Sequence, residues 1–335
     1  MEILARVHAR NLTRWASDKP EVVVLSADLT SSTEVDLFRD TYPARFFSMG
    51  MAEQNMLSWA GGMAREGFVP LIHTFAVFIY RRAYDQLCNS IAYPNLRVRL
   101  FGFLPGVTTP GGATHQAIED LAIMRALPNM TIVEVGDATD VESALDAIHD
   151  INGPVYVRML RGEIPRLFAP TEPLRLGRAR ILSSGNDVTL LSSGICTEEA
   201  MRAARVLRAR GLAIQHLHVS TLKPFADETV IHALTQTHYG IITLENHSIL
   251  GGLGTATAEL MAEHGIGKKL TRLGLRDTFI HGASRPYLMR EYGLDALALV
   301  GEIEKLVNAK LDITEQDLDA VRLDATHSQA KAEAL

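Results

Sequence analysis

Apolar positions in this chain fall into short continuous runs separated by longer stretches at helical spacing. Ile3, Leu4, Val7 and Leu12 share one side of residues 1–16, with Arg6, Arg10 and Arg14 on another, which predicts an amphipathic helix. Glu21–Asp28 is a β-branched apolar run between Lys19-Pro20 and a polar turn, and reads as a buried strand. Leu29–Thr33 then leaves that strand as a polar loop, at the end where α/β sheets place ligand sites. A short strand is expected near Arg45–Phe47. Leu57, Trp59, Ala60, Met63 and Ala64 recur at helical spacing behind Gly50-Met51-Ala52, so a helix opens there with Glu53 in its first turn. Strands follow at Phe68–His73, Leu96–Gly102, Thr131–Val135 and Val155–Met159. Helices follow at Phe75–Ser90, Gln116–Leu127 and Ala138–Ile151.

The alternation restarts further on. Val188–Ser192, Ala213–Val219 and Ile241–Leu244 read as strands, and Cys196–Arg210 and Gly251–His264 as helices. Strands alternating with helices of this length imply an α/β fold of two domains, each a largely parallel sheet flanked by helices. The expected boundaries are a first domain at 1–160, a linker at 161–176 carrying Pro165, Pro170 and Pro173, and a second domain at 177–310. The polar, Ala/Asp-rich residues 311–335 are expected to form a mobile or loosely docked tail.

Composition narrows the class. The chain has 335 residues, 47% hydrophobic and 21% charged, enough for two cores. Its net charge of −6 is spread among interspersed acids and bases, so neither a nucleic-acid nor a membrane surface is indicated. Only Cys88 and Cys196 occur, far apart in apolar settings, which suits free thiols in a reducing cytoplasm. Residues 1–14 lack a signal-peptide core, and no apolar run approaches a membrane span. A cytoplasmic protein is expected.

Candidate chemistry centres on Glu53. An acid in a first turn commonly does no more than complement the helix dipole, worth a few tenths of a kcal/mol. A carboxylate among apolar residues can also share a proton with a ligand nitrogen. Nearby candidates are the aromatics of His73–Phe78 and the Gly/Pro-rich loop 105–115, which ends at His115. A histidine there can cap the next helix, or bond a substrate oxygen and move a proton near neutral pH.

Ser48-Met49-Gly50-Met51-Ala52-Glu53-Gln54-Asn55 resembles the pyrimidine-domain motif of transketolase and of 1-deoxyxylulose-5-phosphate synthase, both thiamine diphosphate enzymes. The likeness continues through Thr114-His115-Gln116 and Ile242-Thr243-Leu244-Glu245-Asn246-His247, with Gly251-Gly252 behind. The resemblance implies that Glu53 hydrogen-bonds the cofactor's pyrimidine N1′, that Phe75 and Phe78 line the pyrimidine pocket, and that His115 faces the reacting end of a sugar. It implies a phosphate clamp from Arg6, Ser32 and Arg161, with Arg158 as the rival for the last place.

Two positions depart from the ordinary transketolase pattern. Phe103 stands where a second channel histidine is usual, and Gly111 stands where an aspartate precedes the matched histidine by four residues. Phe103 is therefore expected in a less polar substrate channel, and the sugar is expected to be a branched or deoxy ketose phosphate. The Gly-Asp-Gly motif through which the family holds Mg²⁺ and diphosphate is absent; Gly136-Asp137-Ala138 runs straight into a helix. The resemblance thus points to the C-terminal subunit of a split transketolase. A separate N-terminal-type subunit would supply the diphosphate and Mg²⁺ site, in an α2β2 assembly. The alternatives are the β subunit of a 2-oxo acid dehydrogenase decarboxylase component, a 1-deoxyxylulose-5-phosphate synthase-like C-terminal half, and a non-catalytic scaffold of the same fold.

Overall fold

The computed structural model describes residues 2–322 and 326–327. In the first part of the chain the strands are β1 (Glu2–Ala5), β2 (Val22–Ser26), β3 (Phe46–Ser48), β4 (Val69–Phe75), β5 (Arg99–Phe103), β6 (Thr131–Glu134), β7 (Val155–Met159) and β8 (Glu163–Pro165). Between them lie α1 (Val7–Trp15), α2 (Asp36–Thr41), α3 (Glu53–Arg65), α4 (Ala76–Gln86), α5 (Asp120–Ala126) and α6 (Ala138–His149). The second part has β9 (Arg180–Ser183), β10 (Val188–Ser192), β11 (Ile214–His218), β12 (Thr221–Lys223), β13 (Gly240–Ser248), β14 (Leu270–Leu275) and β15 (Thr326–His327). Its helices are α7 (Cys196–Ala209), α8 (Glu228–Gln236), α9 (Leu253–Glu263), α10 (Arg285–Glu291), α11 (Ala296–Val307) and α12 (Glu315–Ala320).

Strands β2, β4, β5 and β7 are buried at every position. Helices cover both faces of their sheet, so their apolar runs need not alternate with polar residues. The seven-stranded sheet has the order β12-β6-β7-β5-β4-β2-β3 and is parallel except for β12. The second sheet, β14-β13-β10-β11-β9, is parallel except for β9. The α/β architecture of two largely parallel, helix-flanked sheets is as expected.

Local details differ from the sequence reading. Residues 2–5 are strand rather than helix, because they pair with β8 and β15 in a third, three-stranded sheet. Arg6 then takes a left-handed backbone conformation (φ 53°) that separates β1 from α1. The segment expected as a plain linker contains β8 and is tied to α6: the Leu167 and Phe168 N–H groups donate to Asp137 Oδ2 at 2.9 and 2.8 Å. Beyond Leu311 the expected loose tail holds α12 instead. A Thr314–Asp317 capping box opens that helix, and Leu318 is buried on it. The remaining tail positions, 323–325 and 328–335, lie outside the described residues. Among the described residues no helix is long and apolar enough to cross a membrane.

Candidate active site

The site forms where β2, β3, β4, β5 and β7 end, at the carboxyl edge of the parallel sheet. Helix α3 buries Glu53, Met56, Leu57, Ala60 and Gly61, an i, i+3, i+4, i+7, i+8 stripe that faces the core. Glu53 starts that stripe and is 2% exposed. Its Oε1 accepts a hydrogen bond from Arg82 Nη1 at 2.9 Å.

Helix α4 starts at the end of β4, so Phe75, Phe78 and Arg82 follow one another at i, i+3 and i+7 along one side. The Phe75 and Phe78 rings stack at 5.9 Å between centroids, and the Arg82 guanidinium lies 4.0 Å over the Phe78 ring. The His115 ring meets both edge-on, at 6.2 Å from Phe75 and 5.6 Å from Phe78. Phe75, Phe78 and His115 are therefore one contiguous group, and Arg82 links Glu53 to it.

The loop that carries His115 is held from three sides. From α4, Arg81 donates to Ala113 O at 2.8 Å and grips both Glu119 oxygens at 2.7 and 2.8 Å. From the second sheet, Asn246 Oδ1 accepts from Val107 N at 2.9 Å, and Asn246 Nδ2 donates to Pro105 O at 3.0 Å. Within the loop, Thr114 Oγ1 lies 2.9 Å from His115 Nδ1. A Cβ on Gly111 would come 2.8 Å from the His115 Cβ, so the glycine is what lets the imidazole pack here. The aspartate usual in transketolases could not share this arrangement.

Arg6, Ser32 and Arg161 also come together. Arg161 Nη1 donates to the Ser32 carbonyl at 2.8 Å, and Arg6 forms an ion pair with Asp36. Gly162 N donates to Glu34 Oε1 at 2.7 Å in the same cluster. Burial pushes the Glu34 carboxyl above its ordinary range, against the Gly162 and Ala9 N–H groups and the Arg6 and Arg161 charges. Ser32 thus offers its carbonyl to Arg161, and two carboxylates already temper the cationic pair.

Arg158, the rival, is not available: it is fully buried against Asp120 (2.8 Å), Glu134 (2.5 Å) and the Asn246 carbonyl (3.2 Å). Phe103 corrects the sequence reading. It is wholly buried with His8, His73 and Phe101, and shows no face to a channel. As the last residue of a strand covered on both sides, it belongs to the core.

A cavity of about 850 Å³ is lined by Arg161, Thr108, Pro110 and helices of the second domain. Its described lining does not include Glu53, Phe75, Phe78 or His115. Chemically, one buried acceptor beside an aromatic wall fits a planar nitrogen heterocycle. Among the described residues no group of three or more His, Cys, Asp or Glu is placed to hold a metal ion. The buried Glu53 acceptor and the Phe75–Phe78 wall fit the pyrimidine end of thiamine diphosphate, the cofactor that the family resemblance implies.

Residues 5–166 match the transketolase pyrimidine binding domain and residues 177–299 match the transketolase C-terminal domain. An uncharacterized transketolase family protein of Sinorhizobium fredii is 40% identical over 296 residues, spanning 88% of this chain and 86% of its own. A 6-deoxy-6-sulfo-D-fructose transketolase subunit of a Clostridium species is 37% identical over 306 residues, 91% of this chain and 92% of that one. A 1-deoxy-D-xylulose-5-phosphate synthase of Chlorobaculum tepidum is 35% identical across 89% of this chain, which spans only 47% of that relative. Among solved structures, a split-gene transketolase in an inactive β4 tetramer superimposes with a TM-score of 0.83 at 37% identity, covering 91% of this chain and 98% of that one. Two domain matches in tandem, and relatives of this identity and coverage, lead to one assignment: the chain belongs to the transketolase family, with that family's pyrimidine-binding and C-terminal domains.

Proposed function

We propose that the chain is the C-terminal-type subunit of a split transketolase that moves a two-carbon ketol unit between anionic sugars. The observation that carries this is the group at the mouth of the sheet: a buried Glu53, the Phe75–Phe78 wall and an edge-on His115. Thiamine diphosphate, when bound, supplies a nucleophilic carbon that adds to a sugar carbonyl. Glu53 would hold a proton in common with the pyrimidine nitrogen, while Phe75 and Phe78 would orient the ring and keep water off it. His115 would bond a sugar oxygen and move a proton there.

An N-terminal-type subunit would bring the diphosphate site and Mg²⁺, giving α2β2. Met51 (79% exposed) and Trp59 (50%) on α3 and its lead-in, with Tyr84 (38%) on α4, offer it an aromatic, apolar docking face. Cys88 and Cys196 are free thiols, in keeping with a cytoplasmic setting.

For the sugar, Arg6 and Arg161 support a terminal tetrahedral anion, since guanidinium groups bind such anions in paired hydrogen bonds. Gly111 supports an unusual ketose, because the aspartate that reads a hydroxyl in ordinary transketolases has no room. The sulfo-sugar named for the Clostridium relative favours a deoxy ketose ending in phosphate or sulfonate.

The test is to mix the chain with its N-terminal-type partner and assay a panel. It should include xylulose 5-phosphate with ribose 5-phosphate, deoxy and branched ketose phosphates, and 6-deoxy-6-sulfofructose. Activity should require both subunits and be highest with a deoxy or branched anionic ketose. Turnover by the chain alone would end the split-subunit reading. Best turnover with the ordinary pentose phosphates would end the specificity reading. A pair active only with pyruvate and glyceraldehyde 3-phosphate would favour a synthase-type half, which the 35% identity to the Chlorobaculum protein keeps in view.

A further inference from the structure

Glu53 already has an occupant. The Arg82 guanidinium is a planar cation that donates one N–H to Glu53 Oε1 at 2.9 Å and lies 4.0 Å over the centroid of Phe78. Those are the same two contacts, a hydrogen bond to the carboxylate and a seat over the aromatic wall, that an aminopyrimidine would make in this place. We propose that Arg82 is a built-in stand-in for the cofactor's pyrimidine ring, closing the site in the unassembled chain and releasing Glu53 when cofactor and partner arrive. The inference rests on the function proposed above and goes further, to how that site is kept before assembly.

Three features favour a displaceable group over a fixed support. A buried carboxylate without a counter-charge is costly, so some cation must stay until a ligand replaces it. Arg82 has the means to leave: its side chain is 46% exposed, and among the described residues Glu53 is its only hydrogen-bonding side-chain partner. Arg81, one residue earlier, shows the contrast. It is fastened by both Glu119 oxygens and by the Ala113 and Gln116 carbonyls, and cannot move without freeing the His115 loop.

If Arg82 competes with the cofactor, the measured affinity is lowered by the fraction of molecules in which it sits on Glu53. In the assembled pair, Arg82→Ala should therefore bind thiamine diphosphate in the presence of Mg²⁺ about 3- to 30-fold more tightly than wild type, by calorimetry. Arg82→Lys, which keeps the charge and loses the planar fork, should fall between. The isolated chain gives a second readout. By ligand-detected NMR, 4-amino-5-hydroxymethyl-2-methylpyrimidine should bind Arg82→Ala, should not bind wild type, and should be lost again in Arg82→Ala/Glu53→Gln.

Cofactor affinity unchanged or weaker in Arg82→Ala, with the partner still bound, would overturn the stand-in and make Arg82 a support for Glu53. Absence of thiamine diphosphate binding by the wild-type pair would instead overturn the function on which the inference rests.

Discussion

One carboxylate sets the character of the site at the scale of single residues. Glu53 lies on the buried stripe of α3, so its side chain is turned from water and meets Arg82 instead. Glu53→Gln keeps the size and the hydrogen-bonding reach while removing the charge that shares a proton. Turnover of the assembled pair at saturating cofactor should drop at least about 100-fold, the usual range for losing an acid–base group. Turnover within a few-fold of wild type would remove Glu53 from the chemistry. The grouping of Glu53, Phe75, Phe78 and His115 was legible through the family motifs they match, and the burial of Glu53 also through the helical spacing behind it. Arg81 and Arg82 were not, since adjacent arginines on a helix read as a solvated face. The available signal was indirect: an acid at the head of a buried stripe needs a cation, and Arg82 follows Phe78 by four residues. Phe103 was misplaced because similarity of position says nothing about which face of a two-sided sheet a strand-end residue meets.

Helix α3 links that chemistry to the packing of the fold. Gly61 sits against the wide helical turn Leu87–Ala92 that ends α4, and a Cβ there would come 2.3 Å from the Ser90 carbonyl oxygen. Backbone cannot swing aside as a side chain can, so Gly61→Ala should push α3 away and cost about 1–3 kcal/mol. Glu53 starts the same helix, so cofactor affinity should weaken as the thermal midpoint falls. Gly62→Ala is the control: nothing lies within 4 Å of its Cβ, and the added helix propensity should stabilise by up to about 1 kcal/mol. Equal midpoints for the two variants would show that the close approach at Gly61 does not constrain α3. Elements with strong local patterns, such as Val188–Ser192 and Val155–Met159, were read correctly to the residue. Those defined by distant pairing were not. Strand β1 depends on β8, more than 150 residues away, and β12 leaves the second domain to pair antiparallel with β6. Neither partner is written in the local sequence.

Across the whole molecule, two domains were legible from the restart of the alternation, but the polar seam between their sheets was not. His218 Nε2 meets Asp140 Oδ2 at 3.0 Å across it, and His247 Nε2 accepts from Leu121 N at 3.1 Å. Lone histidines in apolar strands leave no trace of such partners in a sequence. Their burial has a consequence for acid stability. Desolvation pushes His8 and His216 down to about 3 and His247 to about 4, and holds His73 well below its ordinary value. Unfolded histidines take up protons below about pH 6.5 while these four refuse them, so stability is full above that pH and declines as pH falls. Buried carboxylates act in the other direction: burial raises Glu245 to about 8 and Asp137 to about 6, and lifts Glu34, Glu198 and Asp295 above their ordinary range, so the folded chain keeps protons that the unfolded chain has lost. Only Glu245 and Asp137 are raised far enough to offset the four histidines near pH 6.5, so stability falls as the pH drops through that value. Asp140 adds to the loss only lower down. Burial alone would raise it, but His218, the Gly136 N–H and Arg180 outweigh that and hold it below the usual carboxylate range. The thermal midpoint should therefore be nearly flat from pH 7 to 7.5 and fall steeply below 6.5. His8 is the histidine to change. His73 Nδ1 donates to Leu71 O, which leaves its Nε2 to accept from His8 Nε2 at 3.0 Å. Glutamine at position 8 can make that same donation without a proton to gain, so His8→Gln should reduce the slope and remove little of the stability at pH 7.5. A midpoint that holds from pH 7 to 5 in the wild type, or a slope that His8→Gln leaves untouched, would mean that these histidines accept protons inside the fold.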